Sequence, residues 1–128
     1  MKQVFEIQGA LDGLNEYTRA CRSHWSKGGK MKKANEQIVV MNIRAAKLKP
    51  MSGKVAVTIT WIEGILPGRE RFRPRDRDNI AFAKKFIMDA LVSEGILKND
   101  DWNSVISYTD VFRVNRSNPR IIIEIEEV

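Results

Sequence analysis

The strongest constraint on the fold is a strand signal between residues 55 and 61. Large apolar side chains alternate there with smaller ones, and most residues in the run are β-branched. Successive side chains of a strand point to opposite faces, and β-branched residues pack well on a pleated surface. The segment therefore predicts a strand with one buried face, formed by Val55, Val57, Ile59 and Trp61.

Two segments show helical rather than alternating periodicity. The first runs from residue 31 to 48 and the second from residue 78 to 94. Apolar residues recur on one face of each, as in an amphipathic helix packed on a core. The first face comprises Ala34, Ile38, Met41 and Ala45. The second comprises Ile80, Ala83, Ile87, Ala90 and Leu91, widened by Phe82, Phe86 and Met88.

Local signals set the limits of these helices. Asp78 is a favoured N-cap residue for the second, and Gly95 is suited to close it. A shorter helix is predicted over residues 14 to 25, and Gly28 with Gly29 interrupts it before the next begins.

Three further strands complete the pattern, over residues 3 to 8, 105 to 114 and 120 to 127. The order is β-α-β-α-β-β, without an internal repeat or linker. We therefore expect an α/β fold, with a mixed sheet of about four strands and two main helices. At 128 residues the chain fits one domain, residues 1–128.

An arginine-rich segment, residues 69 to 79, follows the 55–61 strand. Arginine occupies every second position, so in an extended chain these side chains share one side. Glu70, Phe72, Asp76 and Asp78 share the other. A row of cations beside a carboxylate pair suits a polyanion held against a divalent metal ion. The predicted DNA-binding arginines are Arg69, Arg71, Arg73, Arg75 and Arg77.

The carboxylates Asp76 and Asp78 are the candidate metal ligands. Magnesium prefers hard oxygen donors, and a few carboxylates with substrate phosphate oxygens are enough to hold it. Manganese is a possible substitute. His24 and Cys21 are the only histidine and cysteine, which excludes histidine-rich and cysteine-rich metal sites. The alternative is that Asp78 only caps a helix.

Lys85 follows Asp78 by seven residues, which places both on one face of a continuous helix. Its ammonium group then reaches back towards the carboxylates and stabilises charge on a phosphate. Lys84 points about 120° away on such a helix.

A second basic region precedes the first long helix. It includes Arg19, Arg22 and the predicted DNA-binding residues Lys27, Lys30, Lys32 and Lys33. With Gly28 and Gly29 at its centre, it is typical of a flexible arm that orders on a phosphate backbone. The alternative is a solvated helix face. A net charge of +6 favours an acidic partner.

The sequence gives no sign of export or of membrane insertion. The first residues lack the apolar core of a signal peptide, and no stretch is long and apolar enough to span a membrane. With a single cysteine, a reducing cytoplasm is the expected compartment. We expect no membrane partner and no small-molecule cofactor.

The Asp76-Arg77-Asp78-Asn79 motif resembles the RusA family of Holliday junction resolvases. Those proteins carry Asp-X-Asp-Asn at the start of a helix, and the helix's end there is similar to residues 89–91 with Gly95. Asn99-Asp100 matches the family's acidic pair, although asparagine replaces the first acid. Residues 14–17 are similar to the family's opening.

The resemblance implies a RusA-like fold and a homodimer that cuts two opposing strands of a branched, four-way DNA junction. It further implies that Asp76, Asp78 and Asp100 bind magnesium and that Lys85 is the catalytic lysine. Asp101 is the alternative to Asp100, because Asn99 stands where the best-known members have an acid before the third aspartate. Lys84 is the alternative to Lys85, because the interval from Asn79 to Asp89 is longer than in those members.

Two other functions remain compatible with the residues. One is a non-catalytic nucleic-acid-binding protein whose acids are caps and turn residues. The other is a general metal-dependent nuclease without preference for branched DNA.

Overall fold

The computed structural model describes residues 1–128 and contains four strands and four helices. The order is β-α-α-β-α-α-β-β, because the short helix predicted over residues 14–25 is present as a separate helix and the helix predicted over residues 78–94 is divided into two. The elements are β1 (Lys2–Gln8), α1 (Leu14–Ser23), α2 (Lys27–Ala45), β2 (Val55–Glu63), α3 (Arg77–Ala81), α4 (Lys84–Ser93), β3 (Val105–Val114) and β4 (Arg120–Glu127). None of these helices is long and apolar enough to cross a membrane.

The strands form one mixed sheet in the order β1-β4-β2-β3. Strand β4 is antiparallel to both of its neighbours, whereas β3 is parallel to β2 and lies at an edge. A parallel neighbour needs a crossover, and α3 with α4 supplies it between β2 and β3. The predicted α/β fold with a four-stranded mixed sheet is confirmed.

The core lies between one face of the sheet and the helices. Val55, Val57, Ile59 and Trp61 are at most 2% exposed, as the alternation of β2 predicts. Facing them, the apolar face of α3 and α4 is buried, with Phe86, Ile87 and Leu91 at 0% exposure. On β4 the inward residues are Ile121, Ile123 and Ile125, which alternate with residues of the other face.

The helix predicted over residues 78–94 is interrupted. A turn at Phe82 and Ala83 separates α3 from α4, with tight bonds from Ala83 N–H to Ile80 O (3.2 Å) and from Lys85 N–H to Phe82 O (3.1 Å). Bonds of this i→i−3 type wind the backbone more tightly than an α-helix. The prediction that Asp78 and Lys85 share one face of a continuous helix is therefore wrong. Gly95 closes α4 in the left-handed region, with φ of 74°, as predicted.

The structure also corrects the first long helix. It begins at Lys27 rather than near Met31, so Gly28 and Gly29 lie in its first turn and not in a flexible arm. A Cβ at Gly28 would collide with the Cys21 sulfur of α1, so the Cys21 side chain would have to move to accommodate it. The absence of a side chain lets α1 and α2 approach closely.

The buried face of α2 differs from the predicted one. Ile38 is 41% exposed and Met41 61% exposed, while Val39 and Ile43 are buried together with Asn35. The two candidate faces are offset by one or two residues, and packing against the sheet and α4 selects between them. Periodicity alone did not distinguish these faces, because both carry apolar residues.

Candidate active site

Residues 69–76 of the arginine-rich segment form a loop without strand partners, and α3 begins at Arg77. Four of the five arginines predicted to share one side line one cleft of about 580 Å³, namely Arg69, Arg71, Arg73 and Arg75, but Arg77 does not. Glu70 lines the same cleft, contrary to the predicted alternation. The strict two-residue period belongs to a strand held in a sheet, and this loop has no such restraint.

Arg75 differs from the other arginines because its side chain is largely buried, with 18% exposed. Its guanidinium donates two hydrogen bonds to the Glu63 carboxylate, at 2.9 and 3.0 Å, and a third to the Leu11 carbonyl at 2.9 Å. Glu16 lies 3.6 Å away. Burial opposes the charged form, but the bonds and charge of Glu63 outweigh it and raise the pKa of Arg75. Arg75 therefore connects the segment to β2 instead of facing solvent, which differs from the arrangement predicted for all five arginines.

Asp76 and Asp78 are exposed and line a second cleft, of about 560 Å³, with Arg77 and with Phe112 of β3. Helix α3 begins at Arg77, so Asp76 rather than Asp78 is at the N-cap position, and its side chain makes no capping bond. Asp78 accepts one hydrogen bond, from the backbone N–H of Asn79 at 3.0 Å. Asp78 therefore does not occupy the N-cap position of α3, and neither carboxylate is held in an ion pair.

Asn79 is buried, at 6% exposure, and its role was not foreseen from the sequence. Its Oδ1 accepts the backbone N–H of Asn15 at 2.7 Å, in the first turn of α1. The N-cap residue of α1 is Gly13, which has no side chain to satisfy that donor. Asn79 thus caps α1 from a distant part of the chain.

The loop between α4 and β3 distinguishes Asp100 from Asp101. The Asp101 carboxylate accepts hydrogen bonds from the backbone of Asn103 at 3.0 Å and from the side chain of Asn99 at 3.1 Å. The exposed Asp100 carboxylate accepts none. Burial raises the pKa of Tyr108, and the negative charge of Asp100 raises it further.

The two lysines of α4 have different surroundings. Lys84 Nζ lies 2.6 Å from Asp110 Oδ2 and 5.1 Å from the centre of the Tyr108 ring. The other oxygen of Asp110 accepts the indole N–H of Trp61 at 2.9 Å. Lys85 is exposed and forms no ion pair. Asp110 was missed from the sequence because a single acid in a strand carries no spacing signal.

These groups form a row along β3. The Arg77 guanidinium lies 5.9 Å from the centre of the Phe112 ring, and Lys84 contacts both Asp110 and the Tyr108 ring. With a rise of about 3.3 Å per residue, Tyr108 and Phe112 are about 13 Å apart along the strand. The structure thus brings Asp76 and Asp78 together in one cleft but does not gather Asp100 with them, and no three His, Cys, Asp or Glu side chains form a metal-binding group.

The donors in the second cleft fit a divalent cation in part. Magnesium is bound through one or two carboxylates, with water and phosphate oxygens in its other positions. Asp76 and Asp78 supply two hard oxygen donors whose charge no cation of the protein neutralises directly. They are the residues that would hold such an ion.

The second basic region lies at the start of α2. Lys27, Lys30 and Lys33 are exposed, whereas Lys32 lies 3.4 Å from Asp89 of α4 and 3.7 Å from Glu36. Trp25, between α1 and α2, is 88% exposed and stacks on His24 with ring centres 5.7 Å apart.

Comparison with known families identifies the chain. No curated protein sequence matches it significantly. The family model described as Endodeoxyribonuclease RusA matches residues 13–126, which include both clefts and the row of charges along β3. The chain therefore belongs to the RusA family of endodeoxyribonucleases, Holliday junction resolvases that hydrolyse phosphodiester bonds.

Proposed function

We propose that the chain is a magnesium-dependent endonuclease that selects four-way DNA junctions and cuts them as a homodimer, with residues 1–128 as one nuclease domain. The main observation in support is that Asp76 and Asp78 line a cleft that adjoins the arginine-lined cleft. Neither carboxylate forms an ion pair. A phosphate backbone held by the arginines passes beside the two carboxylates.

Asp76 and Asp78 hold the metal ion, which is magnesium or, as a substitute, manganese. When bound there, the ion would supply activation of water and neutralisation of charge on the attacked phosphate. Asp100 is proposed as the third metal ligand, although in the free protein it lies outside the cleft of Asp76 and Asp78. Both oxygens of Asp101 accept hydrogen bonds in its own turn, which favours Asp100.

Two neighbouring residues, Lys84 and Lys85, are candidates for the catalytic lysine. The resemblance to the family favoured Lys85, which is exposed and unpaired. We favour Lys84, because its ammonium contacts Asp110 on β3, two residues from Phe112, which lines the Asp76–Asp78 cleft. Lys85 is the alternative.

The basic residues without acidic partners hold the DNA. Positive side chains that neutralise phosphates release counterions, which contributes much of the affinity for DNA. Arg75 and Lys32 are engaged with Glu63 and Asp89, so we assign neither of them to phosphate binding. The phosphate-binding set is Arg69, Arg71, Arg73, Arg77, Lys27, Lys30 and Lys33.

A two-fold dimer presents the same active site twice, which suits two symmetric cuts in opposing strands of a junction. The proposed location is the cytoplasm, where DNA is accessible and the exposed thiol of Cys21 stays reduced.

The test compares a synthetic four-way junction with a linear duplex of the same arm sequence, each incubated with magnesium or with EDTA. We expect paired cuts in the junction, slow or no cutting of the duplex, and no cutting in EDTA. Equal cutting of both substrates would support a general metal nuclease instead. Binding without cutting under all metal conditions would support a non-catalytic DNA-binding protein.

A further inference from the structure

The exposed Asp76-Arg77-Asp78 tripeptide is bracketed by two side chains that point inward. Arg75 precedes it with 18% of its side chain exposed, and Asn79 follows it at 6% exposure. A polar residue is rarely buried without partners, because an unsatisfied group costs free energy. The partners of both residues therefore show what holds the tripeptide in place.

Arg75 is held by a two-pronged ion pair. Its Nε and Nη2 donate to the two oxygens of Glu63 at the end of β2, and its Nη1 donates to the carbonyl oxygen of Leu11. Paired N–H···O bonds fix the orientation of a guanidinium as well as its position. The chain immediately before Asp76 is thereby attached to the central part of the sheet and to the loop before α1.

Asn79 holds the other end of the tripeptide against the same loop. Its Oδ1 accepts the N–H of Asn15, and its backbone oxygen lies 2.6 Å from the position that a Cβ of Gly13 would take. A side chain at Gly13 is thus excluded by this contact. Asn79 and the first turn of α1 form one tightly packed unit.

The loop that both residues contact is itself fixed. Asn35 of α2, at 3% exposure, accepts the backbone N–H of Asp12 at 2.9 Å and donates to the Asp12 carboxylate at 2.8 Å. Leu11, whose carbonyl bonds Arg75, is 3% exposed. The loop is therefore a rigid support for both ends of the tripeptide.

We propose that Arg75 and Asn79 are positioning residues that fix the Asp76 and Asp78 carboxylates for a divalent cation, with Glu63 as the partner through which Arg75 acts. This inference rests on the proposed function. It removes Arg75 from the DNA-binding surface, although the neighbouring alternate arginines belong to it. Groups that orient metal ligands typically contribute about 10- to 100-fold to metal affinity or activity.

The test uses Arg75→Gln, Glu63→Gln and the double variant, with Arg73→Gln as the matched control. Cleavage of the four-way junction is measured over a range of magnesium concentrations, and junction affinity is measured in metal-free buffer. Thermal melts identify any variant that fails to fold. Because Glu63→Gln keeps the shape of the side chain, it provides a second test of the Arg75–Glu63 ion pair if Arg75→Gln is unstable.

If Arg75 acts through Glu63, both single variants raise the magnesium concentration for half-maximal cleavage by about 10- to 100-fold. The double variant is no worse than either single one, excess magnesium restores much of the rate, and metal-free junction affinity is unchanged. Arg73→Gln gives the opposite pattern, with weaker junction binding and an unchanged magnesium requirement.

Two results overturn the inference alone. One is that Arg75→Gln weakens metal-free junction binding as Arg73→Gln does, while Glu63→Gln has no effect, which makes Arg75 a DNA contact. The other is a normal magnesium requirement in a folded Glu63→Gln variant. If the wild-type protein shows no magnesium-dependent cleavage of the junction, the proposed function fails and this inference fails with it.

Discussion

The basic residues of the chain divide by whether an acidic side chain holds them. Arg75 is held by Glu63, Lys32 by Asp89 and Lys84 by Asp110. Arg69 and Arg71 remain exposed. Arg75 therefore has a different role from Arg69 and Arg71, because its partner, Glu63, is supplied by β2.

Lys84→Ala is expected to lower junction cleavage by about 100-fold, the usual effect of removing one group that stabilises charge in the transition state. Lys85→Ala is expected to change it little, because Lys85 contacts no acidic group. Single-turnover cleavage of a bound junction measures this effect without a contribution from binding.

Removal of Lys84 also leaves Asp110 without its ion-pair partner. A control must therefore distinguish loss of catalysis from loss of stability. Asp110→Asn breaks the same ion pair while keeping the lysine, and it is expected to cut faster than Lys84→Ala. Loss of cleavage in Lys85→Ala, with normal cleavage in Lys84→Ala, would return the catalytic role to Lys85.

Residue-level chemistry was predictable where it depends on local sequence. The Asp76–Asp78 pair and the arginines of the first cleft follow from their spacing. The Arg75–Glu63 ion pair and the Lys84–Asp110 ion pair do not, because each joins residues that only the folded sheet brings together.

At the level of elements, α1 depends on a cap from outside its own sequence. Gly13 begins the helix without a side chain, and Asn79 supplies the missing acceptor. The start of the helix and the residue that follows the tripeptide bearing the two carboxylates are therefore in direct contact.

Gly13→Ala is expected to lower the free energy of unfolding by about 1–3 kcal/mol, as overpacking a close contact does. The added Cβ lies 2.6 Å from both the backbone oxygen and the Oδ1 of Asn79, so these groups must move. Urea unfolding measures the change.

Gly53→Ala is the matched control, because a Cβ there has no atom within 4 Å and the backbone is outside the left-handed region. It is expected to change stability by at most about 0.5 kcal/mol. Equal stability of the Gly13→Ala variant and the wild type would show that the Asn79 contact is not tight.

Strands were more predictable than helices. The patterns in residues 55–61 and 120–127 identified both strands, and the alternation in residues 55–61 also identified the buried face. The exposed face of α2 and the break at Phe82 were not foreseen. The choice of helix face depends on what packs against it, and the break is tolerated because residues on both sides of it still reach the core.

At the scale of the whole molecule, the fold places the two clefts side by side. Glu63 and Arg75 line both of them, so their ion pair separates the arginine-lined cleft from the carboxylate cleft. The arginines, which come first in the sequence, thus line one cleft, and the two aspartates that follow them line the next cleft on the same surface. The separation of Asp100 from Asp76 and Asp78 was not predictable, because it depends on where the loop after α4 meets β3.

The central claim is that Asp78 serves catalysis and not the binding of DNA. It is tested most directly by Asp78→Asn, which keeps the size of the side chain and removes its charge. Junction binding is measured in metal-free buffer, and junction cleavage is measured with magnesium. We predict that binding matches the wild type and that cleavage falls to background. Cleavage by Asp78→Asn at the wild-type rate would contradict the account.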